Sequence, residues 1–225
     1  LSQQLRSFTG NSSASSIVFD LNDICRELVE PMIRNTGDDR TRLSFRLCSE
    51  KLPIFMDRSH IRQLLSNLVD NGLEALIAGH GFVTVKTRLQ VLTEDDIVRL
   101  FFPCSLQPGP CAVLEVADTG IGMSEVTRAH WFAIFFSFSF LKTNTLHRSF
   151  FPFFTTKFTG RGLGLSAVLG IVRAHRGVIT VESRREQGTT FRVFLPVAKP
   201  DGTASHGQDD RAPIVRRKFS GTVLV

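Results

Sequence analysis

The apolar positions along this chain change period several times, and each change marks an element. Ile61, Leu64, Leu65, Leu68, Val69 and Leu76 are spaced by threes and fours, which predicts a helix with one buried face, capped by Asp57. A second helical pattern follows Asp20 through "LNDICRELVEPMI". The third lies in "GRGLGLSAVLGIV" from Gly160 and continues to about His175, with Gly177 as its stop. Between these helices, alternating or continuous apolar runs predict strands at "IVF", "RLSFRL", "PIFM", "FVTVKTRLQVL" and "AVLEVAD". "VITVES" and "TTFRVFLP" form a hairpin through "REQG". The acidic and then Pro- and Cys-containing stretch after "RLQVL" reads as an irregular loop. No internal repeat is visible.

The ends read differently. "LSQQLRSFTG", residues 1–10, has the pattern of the last turns of a helix that begins upstream, and "NSSASS" is a linker. From Ala198 to Pro213 the composition turns to Gly, Ser, Asp and Pro, the mark of a second linker. At 225 residues and 42% hydrophobic content, one domain with ragged ends is expected. The net charge of +6 comes from scattered lysines and arginines without a basic stripe, so nucleic acid is not an expected partner. Cys25, Cys48, Cys104 and Cys111 form no CxxC pair and have no histidine at ligand spacing, which fits a reducing cytosol better than a zinc site or a disulfide framework. The longest apolar run, "WFAIFFSFSFL" from Trp131, is too short for a spanning helix, so no membrane contact is expected.

Three stretches carry candidate chemistry. On the helix after Asp57, the residues Asn67, Asp70, Asn71 and Glu74 form a polar stripe opposite the leucines, suited to a metal with phosphates or simply to solvent. In "VADTGIGM", Asp118 ends an apolar strand, ahead of Gly120 and Gly122. A carboxylate there can accept from an exocyclic amine while glycine backbone approaches a ring; a tight turn is the alternative. Gly160, Gly162 and Gly164 precede a helix whose positive amino end suits a triphosphate, although neither the Walker nor the Rossmann spacing is met.

Taken in order, "NLVDNGLEAL", "VADTGIGM", "FFPFFTTK" and "GRGLGLSAVLGIVRAHRG" closely resemble the asparagine, first glycine, phenylalanine and second glycine boxes of the histidine-kinase ATP-binding domain, and "GTTFRVFLP" resembles its closing strand. The resemblance covers about Ile17 to Val197. It implies a two-layer α/β sandwich of the Bergerat type, with a mixed, mostly antiparallel sheet and helices on one face, occupying residues 11–197. It also implies ATP and Mg2+ as cofactors. Asn71 matches the magnesium ligand, with Asn67 one turn earlier. Asp118 matches the adenine-reading carboxylate, Thr189 the hydroxyl residue that supports it, and Gly120 and Gly122 the pocket lining. Gly160, Gly162 and Gly164 match the lid glycines. Lys157 is placed either to meet phosphate or in solvent.

In related hydrolysing enzymes a glutamate stands where this chain has Asn67, and an amide is a poor general base. The resemblance therefore implies a cytoplasmic kinase domain that presents the gamma phosphate to a histidine on its own dimerisation domain, in a full-length homodimer either soluble or membrane-anchored, for relay to a response-regulator receiver domain. Catalytically silent nucleotide binding and ATP hydrolysis are the alternatives. None of the six histidines is followed by the acidic residue of an acceptor box, so the acceptor is expected upstream of residues 1–10, which resemble the end of a dimerisation helix. Residues 198–218 are read as a linker, and 219–225 resemble the start of a receiver domain, as in a hybrid kinase, with a plain kinase as the alternative. One segment departs from the family: a Phe-rich insertion near 131–148, either a lid extension or sequence foreign to the mature protein, and the source of the silent alternative.

Overall fold

The computed structural model describes residues 16–35, 43–77, 80–99, 106–125, 127 and 164–198. Strand β1 (Ile17–Asp20) leads directly into helix α1 (Leu21–Asn35). The carboxylate of Asp20 accepts from the amides of Asn22 at 2.9 Å and Leu52 at 3.1 Å, so the predicted cap also fastens a neighbouring loop. That loop joins β2 (Leu43–Arg46) to β3 (Pro53–Met56), and β3 pairs antiparallel with β1 as a small separate sheet. Helix α2 (Arg58–Ala75) starts at Asp57, which accepts from the Ser59 amide at 2.6 Å. Hydrogen bonding to Ser59 holds the Asp57 carboxyl below its ordinary pKa despite some burial.

The main sheet has the order β2, β4 (Val83–Leu92), β5 (Gly109–Asp118), β7 (Thr189–Pro196), β6 (Val178–Ser183). Only the β2–β4 pair is parallel, and the other three pairings are antiparallel, so the expected mixed, mostly antiparallel sheet is present. Period-two alternation sends Val83, Val85, Ala112, Leu114, Val116, Val181, Phe191 and Val193 to one face. The leucine face of α2, with Ile61, Leu64, Leu65 and Leu68 buried, packs in the same core, as do α1 and α4 (Gly164–Ala174). Each buried Val, Leu, Ile or Phe among them contributes about 1.5–3 kcal/mol by leaving water.

The other face carries a ladder of charge. Lys86 stands opposite Glu115, and Glu115 opposite Arg192, with ion pairs of 3.0 and 2.7 Å; Arg192 reaches on to Glu182 at 2.6 Å. Burial acts to raise the Glu115 pKa, but hydrogen bonds from Arg192 and Lys86 outweigh it and bring the carboxyl below its ordinary value.

Two local expectations are corrected. The acidic stretch read as loop contains a short helix, α3 (Glu94–Arg99). Thr93 and Asp96 cap it reciprocally, the Asp96 amide on Thr93 Oγ1 at 3.2 Å and the Thr93 amide on Asp96 Oδ2 at 2.9 Å. Its Ile97 packs with Leu92, Leu106, Cys111, Val113, Val178 and Phe194, a small cluster separate from the main core. The left-handed stop of α4 also falls one residue early, on Arg176 with φ 55°. The amides of Arg176 and Gly177 return to the carbonyls of Arg173 and Val172, at 3.0 and 2.8 Å, and complete a Schellman cap. Gly177 is instead needed for closeness, since a Cβ there would lie 2.7 Å from the Phe194 carbonyl oxygen.

At that end of α4, His175 Nε2 meets His60 Nδ1 at 3.0 Å, a bond that requires one ring to donate and the other to accept. Burial, helped by the charge of His60 and opposed by Asp57, pushes the His175 pKa down from 6.5 to about 4. A folded-state pKa below the unfolded one stabilises the fold fully above pH 6.5, and that stability is lost as pH falls toward 4. The Glu115 contribution is lost only below its ordinary value of 4.5. Between pH 7 and pH 5 the parent should therefore lose more melting temperature, or gain less, than His175→Gln, since the raised carboxyls of Asp70 and Asp118 act equally in both; equal slopes in the two proteins would contradict the assignment.

Candidate functional site

Helix α2 is the ruler of the site. Its polar stripe faces away from the core as predicted: Asp70 and Glu74 are exposed, Asn67 and Asn71 half-buried. Partial burial and the nearby Glu74 raise the Asp70 carboxyl above its ordinary pKa. Near the middle of the helix, Asn67 Nδ2 donates to the carbonyl of Gly164 at 3.4 Å, which ties α2 to the first residue of α4. Gly72, in the last turns of α2, lies against β4 and β5, where a Cβ would stand 3.2 Å from the Val83 methyls and 3.5 Å from Asp118 Cβ. At the carboxyl end, the Ala75 carbonyl accepts from the Ile121 amide at 3.0 Å. From Ala75 back to Asn67 is eight residues, or about 12 Å along the axis. The Gly120–Gly122 turn thus sits at one end of this span and the start of α4 at the other, with Asn71 between them.

Asp118 ends β5 as the sequence predicted. Its Oδ1 accepts from the amides of Gly120 at 2.8 Å and Thr189 at 3.2 Å. Burial raises its pKa overall, although both amides act to lower it. The Asp118 carboxylate is thus held by two backbone donors at the end of a strand, at the cost of partial desolvation.

The loop after Asp118 is clamped by backbone on both sides. A Cβ on Gly120 would lie 2.3 Å from the Ala75 oxygen, and one on Gly122, at φ 61°, would lie 1.9 Å from the Arg184 oxygen. The Glu186 amide donates to the Ile121 carbonyl at 2.7 Å, so the β6–β7 turn forms one wall of the loop. Thr189 reaches Asp118 through its amide, whereas its hydroxyl meets Ser183 Oγ at 2.9 Å. Asp118, Gly120, Gly122 and Thr189 are therefore brought together, and Asn67 and Gly164 meet a few turns away. Lys157, Gly160 and Gly162 lie outside the described residues, as do the Phe-rich insertion, residues 1–10 and residues 219–225.

Sequence reasoning missed three residues. Gly72 carried a usable signal, because glycine inside a helix costs about 1 kcal/mol relative to alanine and is tolerated where backbones must approach. Ser183 continues the buried parity of Ile179 and Val181 on β6, which marks it as a polar group on the core face. Gly188 adopts φ 83°, and a Cβ there would stand 1.9 Å from the Asp118 oxygen; within the turn "REQG" nothing pointed to that contact. Among the described residues no group of three His, Cys, Asp or Glu side chains is placed to hold a metal, and no helix is long and apolar enough to cross a membrane.

Residues 56–199 match the family described as histidine kinase-, DNA gyrase B- and HSP90-like ATPase. Sensor kinase CckA of Brucella abortus is 31% identical over 198 residues, covering 87% of this chain and 18% of that protein. Sensor protein FixL of Bradyrhizobium diazoefficiens is 28% identical over 196 residues, covering 87% of this chain and 32% of that protein. The chain thus spans only a fifth to a third of these curated relatives. Among solved structures, the catalytic domain of histidine kinase ThkA superposes with a TM-score of 0.57 at 26% identity, covering 81% of this chain and 96% of that one. Full-length ShkA in complex with AMPPNP shares the fold, with a TM-score of 0.58 at 21% identity over 87% of this chain and 34% of that one. The domain match, the sandwich and the ordered motifs agree: this chain belongs to the family of histidine kinase-, DNA gyrase B- and HSP90-like ATPases, as an ATP-binding domain of the sensor histidine kinase type.

Proposed function

We propose that residues 11–197 bind Mg-ATP and present its gamma phosphate to a histidine on a dimerisation domain of the same protein. The observation that carries this reading is the alignment of two half-sites on α2: Gly72 and Ala75 against Asp118 and Gly120, and Asn67 against Gly164. In this reading the Asp118 carboxylate takes the exocyclic amine of adenine, with Gly120, Gly122 and Thr189 lining the base. Gly160, Gly162 and Gly164 wrap the triphosphate, with Lys157 as a phosphate cation. The amide oxygen of Asn71 is a hard donor suited to Mg2+, but a single neutral donor binds weakly. The phosphate oxygens would supply the remaining negative ligands, so the metal would arrive with the nucleotide.

Transfer to histidine is favoured over hydrolysis by the residue at position 67. Asn67 cannot act as a general base, and its amide is engaged with Gly164. Such a pocket protects the gamma phosphate until another nucleophile arrives. This domain would then act on the cytoplasmic side, within a homodimer of the full-length protein, soluble or membrane-anchored, that passes phosphate to a response-regulator receiver domain. An acidic neighbour follows none of the six histidines, so the acceptor belongs to another part of the protein or another chain.

Asp118→Asn should weaken ATP binding at least tenfold by calorimetry, since an amide cannot replace a carboxylate acceptor without facing a donor to its partner. The same change removes a charge that burial disfavours, so the nucleotide-free variant should melt no lower than the parent; unchanged affinity would remove the pocket assignment. Incubated with labelled ATP, this chain alone should acquire no acid-labile phosphate, and addition of a dimerisation domain bearing the acceptor should produce it. Acid-labile label on any of the six histidines, or rapid release of inorganic phosphate instead of transfer, would overturn the kinase reading.

A further inference from the structure

Two histidines meet where the start of α2 lies beside the end of α4, away from the residues assigned to the nucleotide. His60 is in the first turn of α2, and His175 directly follows α4, 115 residues later in the chain. Both are half-buried, with ring centroids 5.3 Å apart and ring planes at 61°. His60 Nδ1 and His175 Nε2 are 3.0 Å apart, so in the neutral pair one hydrogen serves both nitrogens. Asp57, one turn before His60, is near enough for the charges of both rings to act on its carboxyl. Two imidazole nitrogens this close, beside a carboxylate, also have the makings of a metal's coordination sphere. Imidazole–metal bonds are about 2.1 Å long, so two of them at a right angle hold their nitrogens about 3.0 Å apart, whereas a tetrahedral pair needs about 3.4 Å. The separation found here fits the right-angled case.

We propose that His60 and His175 form an open site for a divalent transition metal that prefers right-angled ligands, Ni2+ or Cu2+, which takes the place of the shared hydrogen and bridges the start of α2 to the end of α4. The rings would swing until both lone pairs meet on the solvent side. The donating ring passes to its other tautomer, its hydrogen moving through water to the far ring nitrogen, so both ligands stay neutral. Among the described residues no third His, Cys, Asp or Glu joins the pair, and water completes the coordination. The nearby Asp57 carboxylate offsets part of the metal's charge. With only two protein ligands the metal exchanges with solution, which suits a response to metal supply rather than a permanent structural part. Nitrogen ligands also separate this site from Asn71, whose amide oxygen suits Mg2+. The inference stands independently of the ATP-binding reading.

The probe is Ni2+ alone, titrated into this chain by calorimetry without nucleotide. His60→Gln and His175→Gln should each weaken binding at least about tenfold, and His80→Gln should leave it within about twofold. Ni2+ should also raise the melting temperature of the parent and of His80→Gln, but of neither other variant. If a glutamine variant does not fold, the parent decides: the paramagnetic ion should broaden the ring resonances of His60 and His175 before those of the other histidines. Equal affinity in the parent and both variants, or broadening that begins at another histidine, would overturn the proposal. So would a parent chain that binds no Ni2+.

Discussion

Around Asp118 the backbone runs against itself at three places, and each of them is a glycine. Gly120 lies under the Ala75 carbonyl, Gly122 under the Arg184 carbonyl, and Gly188 under the carbonyl of Asp118 itself, with a Cβ at any of them 1.9 to 2.3 Å from oxygen. These contacts bring the end of α2, the loop after β5 and the β6–β7 turn together around one carboxylate. Gly122 and Gly188 also hold φ values of 61° and 83°, which other residues adopt only with strain. Everything else in the site is measured from this junction, because α2 leaves it as a rigid rod and carries Asn71 and Asn67 to fixed distances.

The carboxylate at the junction is held against its own solvation preference. Burial raises the Asp118 pKa, and the amides of Gly120 and Thr189 offset only part of that cost. The charge ladder on the open face is the opposite case: Glu115 is stabilised on both sides by Lys86 and Arg192, its pKa falls, and it serves the sheet. Two carboxylates on one strand thus have shifts of opposite sign, set by ion pairing at Glu115 and by burial at Asp118.

Helices α2 and α4 are joined at two points, Asn67 with Gly164 and His60 with His175. The pairs run antiparallel, so the start of α4, where the glycine-rich segment enters, is set by contacts along its whole length. Both helices contribute buried residues to one packed core.

The elements were legible because their signals are local. The leucine spacing of α2, the alternation of β4 to β7, and the caps at Asp20 and Asp57 need only neighbouring residues, and the structure has them as expected. Reciprocal capping by Thr93 and Asp96 is equally local, but the acidic run around it has the composition of a loop. Of the site, the sequence by itself determined which residues have the required chemistry: a carboxylate at a strand end, glycines beside it, amides on a helix face. Only the tertiary structure decided which group of each residue is used. Thr189 reaches Asp118 with its amide while its hydroxyl meets Ser183 Oγ, and Gly72 and Gly188 matter for what lies next to them. Those outcomes depend on distances between segments 5 to 71 residues apart, which the packing of the core sets and which no local pattern encodes.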